Sequence, residues 1–266
     1  MKKILIGALL LTGCALPVMA CTGISATAKD GGYVQARTIE WGDSYLPSQY
    51  VVIPCGHEMI SYTPKGMNGA KFRARYGVVG LSIVLKDFVV EGLNEAGLSA
   101  GLFYFPHYGN YPVYDAKQNT RTVADLQLVA WMLSQFSTIE EIKAAMQDIR
   151  VVPVDTTGAS STVHWRIGDA NGRQVVLEFV DGVPCFYENE ISVLTNSPGF
   201  PWQMTNLNNY VNLYPGGAEA HQLGGVTIFP FGAGSGFQGI PGDVTPPSRF
   251  VRAAFYKATA PQCATA

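Results

Sequence analysis

The chain has 266 residues, 47% of them hydrophobic, which is enough for one sizeable buried core. Its net charge is −2, only 14% of residues are charged, and no basic run or aromatic-basic stripe occurs. Nucleic acid and anionic membrane surfaces are therefore set aside as partners.

Residues 1–20 read as an export signal. Lys2 and Lys3 form the basic start and Ile4 to Leu11 a short apolar core. Pro17 then breaks the helix, and Val18-Met19-Ala20 fits the small-x-small rule before a cut. The apolar run is too short to span a bilayer, and no later stretch is long and apolar enough. The expectation is a periplasmic or secreted protein whose mature chain, 21–266, starts at Cys21 and forms one domain. A competing reading takes Leu11-Thr12-Gly13-Cys14 as a lipoprotein box. The chain would then be a non-catalytic binding protein tethered at Cys14.

Short strands dominate the first part of the mature chain, as the abundance of Gly, Tyr and Phe suggests. Residues 22–41 read as two strands around the Asp30-Gly31-Gly32 turn, a hairpin signal. Strands follow at 50–55, 77–85, 88–93 and 98–105, the last two joined by Asn94-Glu95-Ala96-Gly97. Two helices come next. One opens with Thr122 and Asp125 at cap spacing; the other opens with a capping box of Ser137 and Glu140. A meander then begins with VHWRIGD, turns at Ala170-Asn171-Gly172 and at Asp181-Gly182, and ends in ISVLTN. Residues 216–242 are Gly-rich and read as a loop; no strand-turn-helix unit surrounds them to make a phosphate cradle. Strands, helices, then strands predict α+β with antiparallel sheets.

Cys21 carries the chemistry. After a cut at Ala20 it holds both a thiol and a free α-amine. Isolated groups of these kinds titrate near about 8.5 and about 7.7–8.0, close enough to exchange a proton near neutral pH. One residue then supplies nucleophile and base. The four histidines, His57, His107, His164 and His221, show no arrangement that identifies a partner for it. Arg37 and Glu40 lie on the return strand of the hairpin, where Arg37 favours a thiolate and Glu40 holds an ammonium. If Cys21 stays free, at most one disulfide can form among Cys55, Cys185 and Cys263.

Five stretches in order, Cys21-Thr22-Gly23, Arg37-Thr38-Ile39-Glu40-Trp41, Asn94 to Leu98, Leu194 to Pro198 and Pro247 to Phe250, resemble the choloylglycine hydrolase family. This group contains conjugated bile salt hydrolases and penicillin V acylases within the N-terminal nucleophile hydrolases, and the likeness is to its Gram-negative members. The resemblance implies an αββα sandwich of two antiparallel sheets. It also implies hydrolysis of a linear, non-peptide amide through a thioester, with no metal or organic cofactor. Penicillin V, a conjugated bile salt and an acyl-homoserine lactone are the implied substrates.

By the same resemblance Cys21 is the nucleophile, Arg37 steadies its thiolate, and Glu40 stands where most members have Asp. Asn196 and Asn94 supply oxyanion donors, and Arg249 supports the charge network. Trp41, Phe103, Tyr104 and Phe105 are expected to wall an apolar acyl pocket, because apolar acyl groups need apolar walls. The chain stops 16 residues after Phe250, shorter than the family pattern, so an exposed sheet edge is expected. No inserted assembly hairpin stands between the meander and Asn196, which leaves a homo-oligomer possible without fixing its size.

Overall fold

The structure, a computed structural model, describes residues 19–41, 45–154 and 162–266, with the backbone alone at Met19 and Trp41. Cys14 and nearly all of the expected export signal lie outside these residues.

The first hairpin pairs β1 (Met19–Thr27) with β2 (Tyr33–Trp41) around the expected turn. Next come β3 (Ser48–Ile53), the small hairpin of β4 (Glu58–Ile60) and β5 (Lys71–Arg73), then β6 (Val78–Ile83), β7 (Val89–Asn94) and β8 (Ser99–Tyr104). A short β9 (Thr122–Ala124) enters α1 (Leu128–Gln135) through a 3-10 turn, and α2 (Ile139–Ala145) and β10 (Arg150–Val152) follow. The meander is β11 (Val163–Gly168), β12 (Gln174–Val180) and β13 (Val183–Glu188), leading to β14 (Val193–Leu194) and α3 (Phe200–Asn206). The chain then forms the hairpin of β15 (His221–Leu223) and β16 (Val226–Ile228) and ends on α4 (Pro246–Thr259).

Two antiparallel sheets lie face to face. The larger has the order β13-β12-β11-β8-β7-β6-β3 and the smaller β14-β1-β2. Period-2 alternation sends each strand's side chains to two different layers. From the large sheet, Ala100, Leu102, Trp165, Ile167 and Leu177 pack on the side of α1 and α2, with Leu128, Met132 and Ile142. The intervening Phe103 and Val176 join Cys21, Leu194 and Phe250 of α4 on the other side. The layers are thus helices, sheet, sheet, helices, the αββα sandwich expected. The sheets approach closely at Gly23, where an added Cβ would lie 2.5 Å from Phe103 Cζ, so no side chain fits there.

Several expectations shift. The helix expected from Thr122 begins only at Leu128, and Thr122–Ala124 is instead a strand parallel to β10. Asp125 accepts from Leu126 N and, across the chain, from Val154 N, rather than capping a regular first turn. The capping box of α2 is Thr138 with Glu141, one residue later than expected. The Gly-rich stretch is not wholly loop, because it contains the β15–β16 hairpin, whose side chains are exposed. That hairpin follows Asn196 in the chain. Cys55, Cys185 and Cys263 are all free thiols.

Candidate active site

Cys21 lies in β1 opposite Ile39 of β2 and is 5% exposed. Its backbone is held by two residues distant in sequence. Its N–H donates to Asn196 Oδ1 at 2.8 Å, and its carbonyl accepts from Arg249 Nη1. Arg249 also donates to Thr22 Oγ1 at 2.6 Å and to Asn196 Oδ1 at 2.8 Å. Asn196 Oδ1 thus accepts from two donors, which fixes the orientation of the amide, since a flipped side chain would set NH2 against both. Asn196 Nδ2 donates to Tyr104 O at 2.6 Å, leaving its second hydrogen for another acceptor.

Each group is placed by local sequence chemistry. Arg249 rides the first turn of α4, which starts at Pro246 and Pro247, where proline's missing N–H costs nothing. Ser248 and Thr245 donate to the carboxylate of Asp243 and hold it down to about 2, which pins the turn. Burial pulls the Arg249 guanidinium below its ordinary range, while the carboxylate of Glu40 works in the opposite sense. Glu40 itself is exposed, and among the described residues it has no ion pair; it reaches the site as a nearby charge.

Asn196 follows β14, and the turn that carries it is fixed from behind by His164, a residue the sequence did not single out for this site. His164 is fully buried. Its Nδ1 lies 3.0 Å from Glu178 Oε1 and its Nε2 2.9 Å from Thr195 O. Phe105 stacks on the ring at 4.2 Å. Glu178 Oε1 also accepts from Phe200 N at the start of α3, so one buried pair ties three segments together.

Cys21 and Arg37 open on a cavity of about 560 Å³, walled chiefly by apolar side chains such as Ile39, Val90, Leu102 and Val163, with Tyr104 also on its wall. The Arg37 guanidinium is occupied. It donates to Val90 O at 3.2 Å and to Leu102 O, stacks on Phe103 at 4.1 Å, and lies 3.6 Å from Glu91. It is positioned by the inter-sheet layer and has no hydrogen bond to Cys21.

The predicted residues therefore divide. Cys21, Arg37, Asn196, Arg249 and Tyr104 converge, with Glu40 beside them. Asn94 does not join them, which corrects its expected role as an oxyanion donor. Its Nδ2 donates to Leu133 O and Phe136 O at the end of α1, and its Oδ1 accepts from Ala96 and Leu98 N–H. It is a turn residue that also closes a helix end. Phe103 and Phe105 are core rather than pocket wall: Phe103 lies between the sheets, and Phe105 covers His164. The Trp41 side chain is outside the description. Among the described residues no group of three or more His, Cys, Asp or Glu side chains could hold a metal ion, and no helix is long and apolar enough to cross a membrane.

One further polar group faces the cavity. Asp125 is 3% exposed and lines the wall beside Leu126 and Val154. Burial pushes its carboxyl up to about 7, against the hydrogen bonds from Leu126 and Val154. Burial, and secondarily the charge of Asp125, raises the Tyr111 phenol well above its usual range. That phenol is already bonded to Val163 through both its oxygen and its hydrogen.

A family model described as linear amide C–N hydrolases, choloylglycine hydrolase family, matches residues 21–266. A bile salt hydrolase/transferase of Clostridium perfringens is 32% identical over 241 residues, covering 89% of this chain and 71% of that protein. A penicillin V acylase of Pectobacterium atrosepticum is 24% identical over 239 residues, covering 84% and 55%. Among solved structures, a mutant conjugated bile acid hydrolase from Clostridium perfringens superposes with a TM-score of 0.77 at 30% identity, covering 90% of this chain and 72% of that one. The penicillin V acylase from Agrobacterium tumefaciens gives 0.71 at 25% identity, covering 91% and 66%.

Proposed function

From the premise that this chain belongs to the choloylglycine hydrolase family of linear amide C–N hydrolases, we propose that it cleaves an acyl amide with Cys21 as an N-terminal nucleophile. Removal of residues 1–20 during export, to the periplasm or beyond, frees the Cys21 amine. The observation that carries this reading is the grip on Cys21: its nitrogen on Asn196 and its carbonyl on Arg249, at the mouth of an apolar cavity.

The steps follow from those positions. The α-amine takes the thiol proton, and the sulfur attacks the substrate carbonyl while the acyl group fills the cavity. Charge passes to the carbonyl oxygen, and the spare hydrogen of Asn196 Nδ2 is the donor offered to it. The tetrahedral intermediate collapses as the C–N bond breaks, and the ammonium proton goes to the leaving amine. A thioester remains on Cys21. Water then gives a proton to the amine, attacks the thioester, and releases the acid and the thiol. Arg37 and Arg249 supply positive potential at the sulfur's end of the cavity.

The apolar wall supports an amide with an apolar acyl group, and penicillin V is the first substrate to assay, beside glycocholate and a long-chain acyl-homoserine lactone. N-terminal sequencing of active protein tests the mechanism. Cys21 as first residue is the expected result; active material that retains Ala20 would refute it.

A further inference from the structure

One buried ionisable pair takes no part in the steps above. His164 of β11 stands opposite Phe103 of β8, and it and Glu178 are both buried. The two ring nitrogens each meet an acceptor, Glu178 Oε1 at 3.0 Å from Nδ1 and Thr195 O at 2.9 Å from Nε2. A carbonyl oxygen only accepts, and Oε1 already accepts from Phe200 N at 2.8 Å. A ring with a single N–H would leave one of the two contacts as facing lone pairs at a position closed to solvent, which is costly. A hydrogen on each nitrogen satisfies both. Thr195 O and the nitrogen of Asn196 belong to one planar peptide unit, so the bond to Thr195 O fixes the plane from which the Asn196 side chain departs. The same turn is held by Thr195 Oγ1, which donates to Pro246 O at 3.1 Å, and by Gln203 of α3, which donates to Asn196 O at 3.4 Å.

We propose that His164 is a positioning residue for the hydrolysis: donating through both ring nitrogens, it ties Thr195 O to the Glu178 carboxylate and so keeps the Asn196 amide aimed to offer its spare hydrogen to the substrate's oxyanion. The inference rests on the assignment of Asn196 as that donor. His164 acts through Asn196, not on the substrate. An oxyanion donor is effective only where it already awaits the developing charge, and a displacement of about 1 Å can cost about 100-fold in rate. Phe105, stacked on the ring at 4.2 Å, and Phe103, edge-on at 6.2 Å, pack against the imidazole and hold its plane.

Removing His164 alone would strand the Glu178 charge, so the test pairs substitutions in the mature protein. The substrate is whichever of penicillin V, glycocholate and a long-chain acyl-homoserine lactone is cleaved fastest. Glu178→Gln should lower kcat by no more than about fivefold, since the ring's Nε2–H still reaches Thr195 O. Adding His164→Leu removes that donor and should bring the loss in kcat to about 100-fold, with KM within about twofold. Built on Asn196→Ala, the same two substitutions should cost less than about twofold, because the donor they misalign is already gone. A histidine that serves the fold alone would lower kcat by the same factor in both backgrounds. An unchanged kcat in the double variant, or its full loss repeated on Asn196→Ala, overturns the proposal. NMR of the nitrogen-labelled Cys21→Ala protein decides if the double variant fails to fold: hydrogens bonded to both ring nitrogens of His164 support the proposal, and a ring bearing one overturns it. Both hydrogens present, with no substrate cleaved by wild type, would sink the hydrolase mechanism and leave the hold on Asn196 standing. Cleavage with independent losses would do the reverse.

Discussion

Two asparagines stand in turns of similar appearance, one closing β7 and the other following β14. Asn94 and Asn196 are both buried and both multiply hydrogen-bonded. Yet Asn94 spends its whole amide on its own turn and the end of α1, while Asn196 spends its oxygen on Cys21 and Arg249 and keeps a hydrogen in reserve. The same side chain is structural where its neighbours are carbonyls of one helix. It is poised for chemistry where its neighbours are a nucleophile and a cation. Turn chemistry selects Asn at both places; only what the turn packs against separates them.

Substitutions sharpen that contrast. The largest loss is expected from Cys21→Ser, which keeps the geometry and lowers kcat by about 10³-fold or more because a hydroxyl, far harder to ionise, replaces the thiol; its melting temperature should match wild type. Asn196→Ala is expected to lower kcat by about 10²–10³-fold, the typical cost of one oxyanion donor. Asn94→Ala should do the opposite. Four hydrogen bonds vanish, stability falls by about 2–4 kcal/mol, and kcat per folded molecule stays within about twofold. Equal kcat losses in the two alanine variants would erase the distinction. The smallest effect on turnover is expected from Asp125→Asn, read through pH. The folded carboxyl holds its proton up to about 7 against an ordinary 3.8, so its contribution to stability is present below about 4 and is lost as pH rises through 7. The Asn variant should therefore match wild type near pH 4 and melt a few degrees higher near pH 8. A gap that narrows with rising pH would contradict the burial argument.

Much of this molecule was legible along the chain. The Asp30-Gly31-Gly32 turn sets the register that pairs Cys21 with Ile39 and Gly23 with Arg37. The prolines at 246 and 247 mark the start of α4 and so the placement of Arg249. Other features were not. His164 sits in a strand of buried residues, and nothing in its neighbours announces Glu178, fourteen residues on, or the carbonyl of Thr195. Its partners arrive only when β11, β12 and the turn after β14 pack together. Asp125 looked like a helix cap because its spacing from Thr122 was right, but its second ligand is Val154 N, supplied by the chain beyond β10.

The aromatic run at 103–105 shows the division most plainly. Strand alternation guarantees that Phe103 and Tyr104 face opposite ways, but not which face meets the cavity. By itself the sequence determined the strand and helix content, the hairpin that carries Cys21, and the residues able to do its chemistry, because these depend on turn residues, periodicity and side-chain type within short spans. Tertiary structure alone decided which asparagine meets the nucleophile, which aromatic lines the cavity, and that a carboxyl faces it. Each of those outcomes depends on which distant backbone supplies the partner of a buried polar group.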